Sequence, residues 1–145
     1  MARGQTLRMD PAALDAFMAR EFPQAARMPA HIEALEPGRI VLRLPYSDDQ
    51  LRPGGTLSGP TLMGLADRAT YLLVLSMIGP VALAVTTSLH IDFLSKPAPR
   101  DVLAEATLLK LGKRLAVARV SMRSDGEDTV VAHATVTYSI PPDGR

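Results

Sequence analysis

The chain of 145 residues contains no cysteine and no tryptophan, only three tyrosines and three phenylalanines, and almost no net charge. Without cysteine there is no disulfide framework and no need for an oxidising compartment. Sixteen Lys and Arg against fifteen Asp and Glu leave a formal charge of +1. That balance exerts no global pull toward nucleic acid or an anionic membrane, so any anion binding must be local. No pair of His residues or acids shows metal-ligand spacing, and no metal is expected. A membrane-length apolar run is also missing, because the longest apolar region, Ala69 to Val85, is cut by Gly79-Pro80 and preceded by Asp67 and Arg68. The N-terminus lacks the basic start, apolar run and small-residue cleavage site of a secretory signal. The expectation is a cytoplasmic protein with no membrane partner.

What the chain does have is apolar surface: 47% hydrophobic residues over 145 positions is enough for one domain with a real core and short for two. Residues 1–9 carry no structural signal and are expected to fray. In "DPAALDAFMAREFP", Asp10 suits an N-cap and Pro11 the first helical position, which predicts a helix over 10–22 that Pro23 ends. "HIEALEPGRIVLRLPY" reads as a hairpin turning at Pro37-Gly38. Ser47 to Ser58, with Asp48, Asp49, Pro53, Gly54 and Gly55, is then a loop.

The loop feeds "SGPTLMGLADRATYLLVLSMIGP". Ser58 or Gly59 can cap a helix there, Pro60 suits its first position, and Gly79-Pro80 closes it, which predicts a helix over 60–78. Four stretches of strand character follow: Val81 to Leu94, Val102 to Lys110, Arg114 to Arg123 and Thr129 to Ile140. Turn signals at Pro97 to Pro99, Gly112 and Asp125-Gly126 separate them. In the last strand Val130, Ala132, Ala134, Val136, Tyr138 and Ile140 alternate with more polar neighbours, as in an antiparallel sheet covered on one face. A helix apolar on most faces must be wrapped, and the sheet's apolar face can do it. The fold class is α+β, an antiparallel β-sheet wrapped around one long central helix.

Asp67 sits in that apolar helix, where an unpaired carboxylate is costly unless something uses or compensates it. Ser88, His90 and Asp92 have the composition of a nucleophilic triad. They occupy every second position of one strand, about 7 Å apart, too far for a relay of direct hydrogen bonds. His90 and Asp92 are assigned instead to the outer face of the sheet or a subunit contact. His31 is isolated, and His133 shares a face with Thr135 and Thr137. Gly54 and Gly55 match neither phosphate-loop pattern, so no nucleotide site follows.

From Arg39 to Ile140 the sequence resembles the hotdog-fold acyl-CoA thioesterases, most closely their phenylacetate-pathway branch. That family opens its central helix with an Asn, a Gly and His-Gly-Gly, followed by Leu-Ala-Asp. Here the corresponding run is Arg52, Gly55, Ser58-Gly59-Pro60, then Leu65-Ala66-Asp67, with Asp67 eight residues after Gly59. "SLHIDFLSKPAPRDVLAEATLLKLGKRLAVARVSM" resembles the family's succession of strands and turns. Ser58, Arg52 and Pro60 replace the family's His, Asn and second Gly, while the acid and the first Gly are kept.

The resemblance implies hydrolysis of an acyl-CoA thioester with no cofactor beyond the CoA of the substrate. It implies a homo-oligomer, a dimer or a dimer of dimers, with the site between two subunits. Asp67 would be nucleophile or general base, and the Gly59 amide, at a helix N-terminus suited to developing negative charge, would polarise the carbonyl. Ser58 and Arg52 would stand near the carbonyl, one of Thr86 and Thr87, with Thr86 preferred, would hold water or substrate, and Tyr71 would trim an acyl pocket lined with Leu62 and Met63. Lys96, Arg100, Lys113 and Arg114 are candidates for the CoA phosphates. An aromatic content of 4% favours an aliphatic or small aryl acyl group. A protein that binds acyl-CoA without turning it over is the alternative, and a dehydratase ranks last for want of a His in the helix-opening motif.

Overall fold

The computed structural model describes residues 6–48, 51–52 and 56–142, with Leu51, Arg52 and Thr56 as backbone alone. Two of the predicted motif positions, Gly54 and Gly55, lie outside these residues. Helix α1 covers Pro11–Glu21, with the Asp10 carboxylate accepting from the Ala13 amide at 2.8 Å. Leu14 and Phe17 are its buried residues, one turn apart. The chain does not stop at Pro23 but continues as a short 3-10 turn over Pro23–Arg27. Upstream, the amides of Arg8 and Met9 both donate to the Ser76 carbonyl, and Met9 is buried. Expected fraying therefore does not reach these two residues.

Strands β1 (His31–Glu36) and β2 (Arg39–Leu44) form the expected hairpin. Its turn depends on Gly38, whose φ of 83° is open to a residue without a Cβ. A two-residue ribbon follows, β3 (Leu51–Arg52) against β4 (Thr56–Leu57), inside what the sequence suggested was plain loop.

Helix α2 runs Gly59–Ile78, one residue longer than expected at its start, and closes on Gly79 at φ 99°, whose amide returns to the Leu75 carbonyl at 2.8 Å. Strands β5 (Val85–Phe93), β6 (Val102–Leu111), β7 (Leu115–Ser124) and β8 (Val130–Ser139) complete the chain. The first begins four residues later than Val81. Val81 to Ala84 form a turn in which the Ala84 amide reaches the Val81 carbonyl, and both side chains tuck into the core.

The main sheet is antiparallel in the order β1-β2-β6-β7-β8-β5. Helix α2 packs on β2 and on β5 through β8, so the sheet curves around it. Leu65, Ala66, Ala69, Leu73, Val74 and Leu75 are fully buried there, against Ile40, Leu42, Ala104, Val120, Ala134 and Val136 from the strands. By length and hydropathy α2 would also pass for a membrane span, yet 67% of its apolar window is buried within the domain, as befits a core helix. Strand β5, like the other edge strand β1, has no buried residue. It is paired on one side with β8, has no described neighbour on the other, and is exposed along most of its length.

Candidate active site

Asp67 lies on the face of α2 where burial gives way. The spacing of Gly64, Asp67, Arg68 and Tyr71 is that of one helical stripe, and all four line a cavity of about 610 Å³. Its other walls are Met18 of α1 and Phe22 just after it, Gln24 and Ala25 of the 3-10 turn and Met28 just beyond it, the turn Ala82 to Ala84, Val85 and Thr86 of β5, and Tyr138 of β8.

Two hydroxyls hold the Asp67 carboxylate, and both address the same oxygen. Thr86 Oγ1 donates to Oδ1 at 2.5 Å and Tyr138 Oη donates to it at 2.8 Å. The described residues supply no donor to Oδ2. Tyr138 comes from the covered face of β8. Burial, and then the neighbouring Asp67 charge, push its pKa upward, so the phenol stays protonated and remains a donor. Tyr71 stacks edge-on with Phe22, centroids 5.5 Å apart, and its hydroxyl donates to the Ala82 carbonyl at 3.1 Å. Burial, and less so Glu21, raises its pKa to about 12.

At the N-terminus of α2 the backbone donors are nearly all used. Ser58 Oγ accepts from the Thr61 amide and shares a 2.8 Å hydrogen bond with Thr61 Oγ1, and the Ser58 carbonyl takes the Leu62 amide. Pro60 has no N–H. The Gly59 amide is the one left without an acceptor among the described residues, at the positive end of the helix dipole. A Cβ on residue 59 would sit 3.2 Å from the Phe93 ring, so the glycine lets β5 close over the helix start.

A carboxylate oxygen left bare in an apolar cavity, and a lone helix-terminal amide, are parts from which an acyl-transfer site is made. The profile of the Thioesterase superfamily matches residues 54–131. The chain belongs to that superfamily. A candidate thioesterase from a Silicibacter species is 46% identical to it, with 97% of each chain covered and a TM-score of 0.88. The phenylacetic acid degradation protein PaaI of Thermus thermophilus, solved as a mutant, is 30% identical over 81% of this chain and 97% of its own, with a TM-score of 0.70. A candidate esterase of Halobacterium salinarum is 32% identical, covering 70% of this chain and 73% of its own. The fold is therefore the hotdog fold of thioesterases.

Against that family frame the expected residues divide. Asp67, Tyr71 and Thr86 meet at the cavity. Ser58 caps α2, and its oxygen is taken up by Thr61. Leu62 and Met63 do not line the cavity: Leu62 is buried in the core on another face of the helix, and Met63, one turn before Asp67, faces outward. Gly59 does not reach the cavity either. Eight residues of helix separate it from Asp67 by about 12 Å along the axis. Arg52 pairs with Thr56 through its backbone.

The basic residues do not form one patch within the chain. Lys96 and Arg100 follow β5 at one end of the sheet, whereas Lys113 and Arg114 sit in the β6–β7 turn at the other. Arg100 is bonded to the Asp125 carbonyl and Arg114 to the Ile140 carbonyl. His90 Nε2 and Asp92 Oδ2 do meet, at 3.2 Å, which backbone spacing argued against: both side chains are exposed and lean along the strand. No hydrogen bond joins Ser88 to His90 among the described residues, and no triad forms. Among the same residues no group of three His or acidic residues converges on a metal site.

Tyr138 is the site residue the sequence reading passed over. It counted as a core position of β8, and its hydroxyl, the one polar tip on that apolar face, was the available signal.

Proposed function

We propose that the chain hydrolyses acyl-CoA thioesters as a homodimer whose two sites each draw on both subunits. The observation that carries this reading is the Asp67 carboxylate, which lines the cavity, is oriented by Thr86 and Tyr138 through Oδ1, and keeps Oδ2 without a donor among the described residues. Asp67 Oδ2 accepts a proton from water while the water oxygen bonds to the thioester carbon. The oxyanion that forms takes a hydrogen bond from the Gly59 amide. Collapse breaks the carbon–sulfur bond, and the proton passes to the departing thiolate, giving a carboxylic acid and coenzyme A.

Geometry supports a second subunit. Asp67 is bonded to Thr86 near the start of edge strand β5, and Gly59 packs on Phe93 at the end of the same strand. Two copies pairing β5 to β5 antiparallel about a two-fold axis bring the start of one strand beside the end of the other. Asp67 of one subunit then approaches Gly59 of its partner, with the axis near Leu89 and His90. Unpaired edges are costly to leave open, and Val85 and Phe93 are 54% and 53% exposed on this one. The same operation carries Lys96 of one subunit toward Lys113 and Arg114 of the other, which supports a shared cationic rim for the CoA phosphates.

The test is thiol release from a panel of acyl-CoA substrates by the wild type and by Asp67→Asn. Turnover by the wild type with a loss of a hundredfold or more in the variant supports the reading, a magnitude usual for general-base catalysis. Binding of CoA with no turnover at any chain length leaves a ligand-binding protein instead.

A further inference from the structure

Arg68 is the second charged group on the cavity stripe, and nothing in the hydrolytic step uses it. Its Nη1 donates to the Met28 carbonyl and its Nη2 to the Ala25 carbonyl at 2.8 Å. These bonds fix the guanidinium plane against the 3-10 turn but leave three of its five N–H donors unspent. They also leave the charge in place. No carboxylate lies within ion-pair reach of Arg68 among the described residues, although Arg39 and Arg43 each have at least two. Burial lowers its pKa, and no acid acts in the opposite direction.

A half-buried cation without a counterion is costly. Clamping two carbonyls does not require the charge, since a neutral amide can donate to them. The rest of the wall is apolar, and its hydroxyls are committed: Tyr71 to Ala82, Thr86 and Tyr138 to Asp67. Apart from Asp67, the polar lining side chains that remain are Arg68 and the exposed Gln24, and these have donors to spare.

We propose that this cavity takes an acyl group ending in a carboxylate, with Arg68 as its receptor. The inference rests on the thioesterase reading above and specifies its substrate class. Neighbouring helix positions project about 100° apart, so Asp67 and Arg68 address different parts of one cavity. The thioester sits beside Asp67, apolar methylenes cross the region of Phe22, Met28 and Tyr71, and the terminal carboxylate meets the guanidinium in charge-assisted hydrogen bonds. Asp67 itself repels that terminus, which disfavours binding in reverse.

The experiment compares kcat and KM of the full chain for hexanoyl-CoA, its ω-carboxy counterpart, and the methyl ester of that counterpart, in the wild type, Arg68→Gln and Arg68→Lys. The expected result is a preference of about tenfold or more for the free carboxylate over the other two, expressed in KM, given the strength of hydrogen bonds to charged groups. Arg68→Gln abolishes the preference and Arg68→Lys retains part of it. Equal turnover of all three by the wild type overturns the proposal while the hydrolase reading stands. So does an Arg68→Gln variant slowed by the same factor on each, the mark of a clamp alone. Should Arg68→Gln not fold, the wild-type ratio and Arg68→Lys decide. A wild type that hydrolyses no thioester removes the hydrolase reading, and this one with it.

Discussion

Tyr138 Oη lies 2.8 Å from Asp67 Oδ1, a contact between the last strand and the central helix across 71 residues of sequence. The same hydroxyl is 3.3 Å from the Asp67 carbonyl. With Thr86 on the same carboxylate oxygen, the other oxygen is the one that points to work. Tyr138→Phe and Thr86→Val each remove one donor while keeping shape. Each is expected to lower kcat by about tenfold with little change in KM, the scale of a hydrogen bond to a charged group. Because both act on one atom, the double variant should lose a different factor from the product of the two. Strict additivity would mean that the two hydroxyls act independently.

A site shared between subunits makes a prediction about mixtures. Asp67→Asn removes the base, and Gly59→Pro removes the amide at a position whose backbone suits proline but whose ring crowds Phe93, so folding and dimerisation of this variant are confirmed first. Each homodimer should be inactive. Mixed by subunit exchange, they should recover about a quarter of wild-type activity, because half the dimers are hybrids and each hybrid has one intact site. Failure of exchanged mixtures to regain any activity argues that both groups act within one subunit.

Gly64 sits on the cavity stripe, and a Cβ there would meet Met28 at 3.7 Å or more, an ordinary contact. Gly64→Ala should therefore fold and gain stability of about 0.5–1 kcal/mol from helix propensity. Gly64→Leu fills the cavity instead. It should raise KM for long acyl chains more than for acetyl-CoA, which a chain-length series on the two variants will measure.

Alkaline pH should unfold the domain through its tyrosines. Tyr71, at about 12, and Tyr138, raised further by burial and by Asp67, both hold their protons more tightly folded than unfolded. The unfolded chain releases them near pH 10, so stability that is complete below that pH declines as pH rises through the folded values. Melting temperatures of the wild type should fall as pH rises from about 10 toward about 12. The Tyr71→Phe, Tyr138→Phe double variant should lose most of that slope.

At the acid end the relevant cluster is Arg43, bonded to Glu33 at 2.8 Å and to Asp101 and Asp125 at 3.0 Å. The Asp101 carboxyl is held below its usual range, first by the Tyr46 amide and then by Arg43. Its contribution is present above the ordinary Asp pKa and is lost as pH falls through the depressed one. Arg43→Met should thus melt lower than wild type at neutral pH, with the gap narrowing below about pH 4. A constant gap across that range would show that packing alone accounts for it.

Local signals carried most of the architecture. Asp10-Pro11 and Ser58-Gly59-Pro60 announce the two helices because capping is chemistry between near neighbours, and Gly79 ends α2 because its φ of 99° suits a residue without a Cβ. Alternation in residues 130–140 marks the buried face of β8 because side chains in a strand change face at every step. β5 starts four residues after the apolar run that begins at Val81, since Val81 and Ala84 are apolar for packing into the core and not for pairing in the sheet. The ribbon of β3 and β4 is too short for periodicity to register.

By itself, then, the sequence determined where the helices begin and end, which faces the sheet buries, and that an acid and a glycine stand eight residues apart at the start of α2. Tertiary structure alone decided what those groups meet. Sheet register, set by strands far apart in the chain, carries Tyr138 to Asp67. The folding of α1 and its 3-10 turn over α2 hands Arg68 two carbonyls and, among the described residues, no carboxylate. The strand order places Lys96 and Lys113 at opposite ends of one sheet. Capping and alternation act over a few residues, so they are written in the local sequence, whereas the partners of a side chain depend on how the whole chain closes.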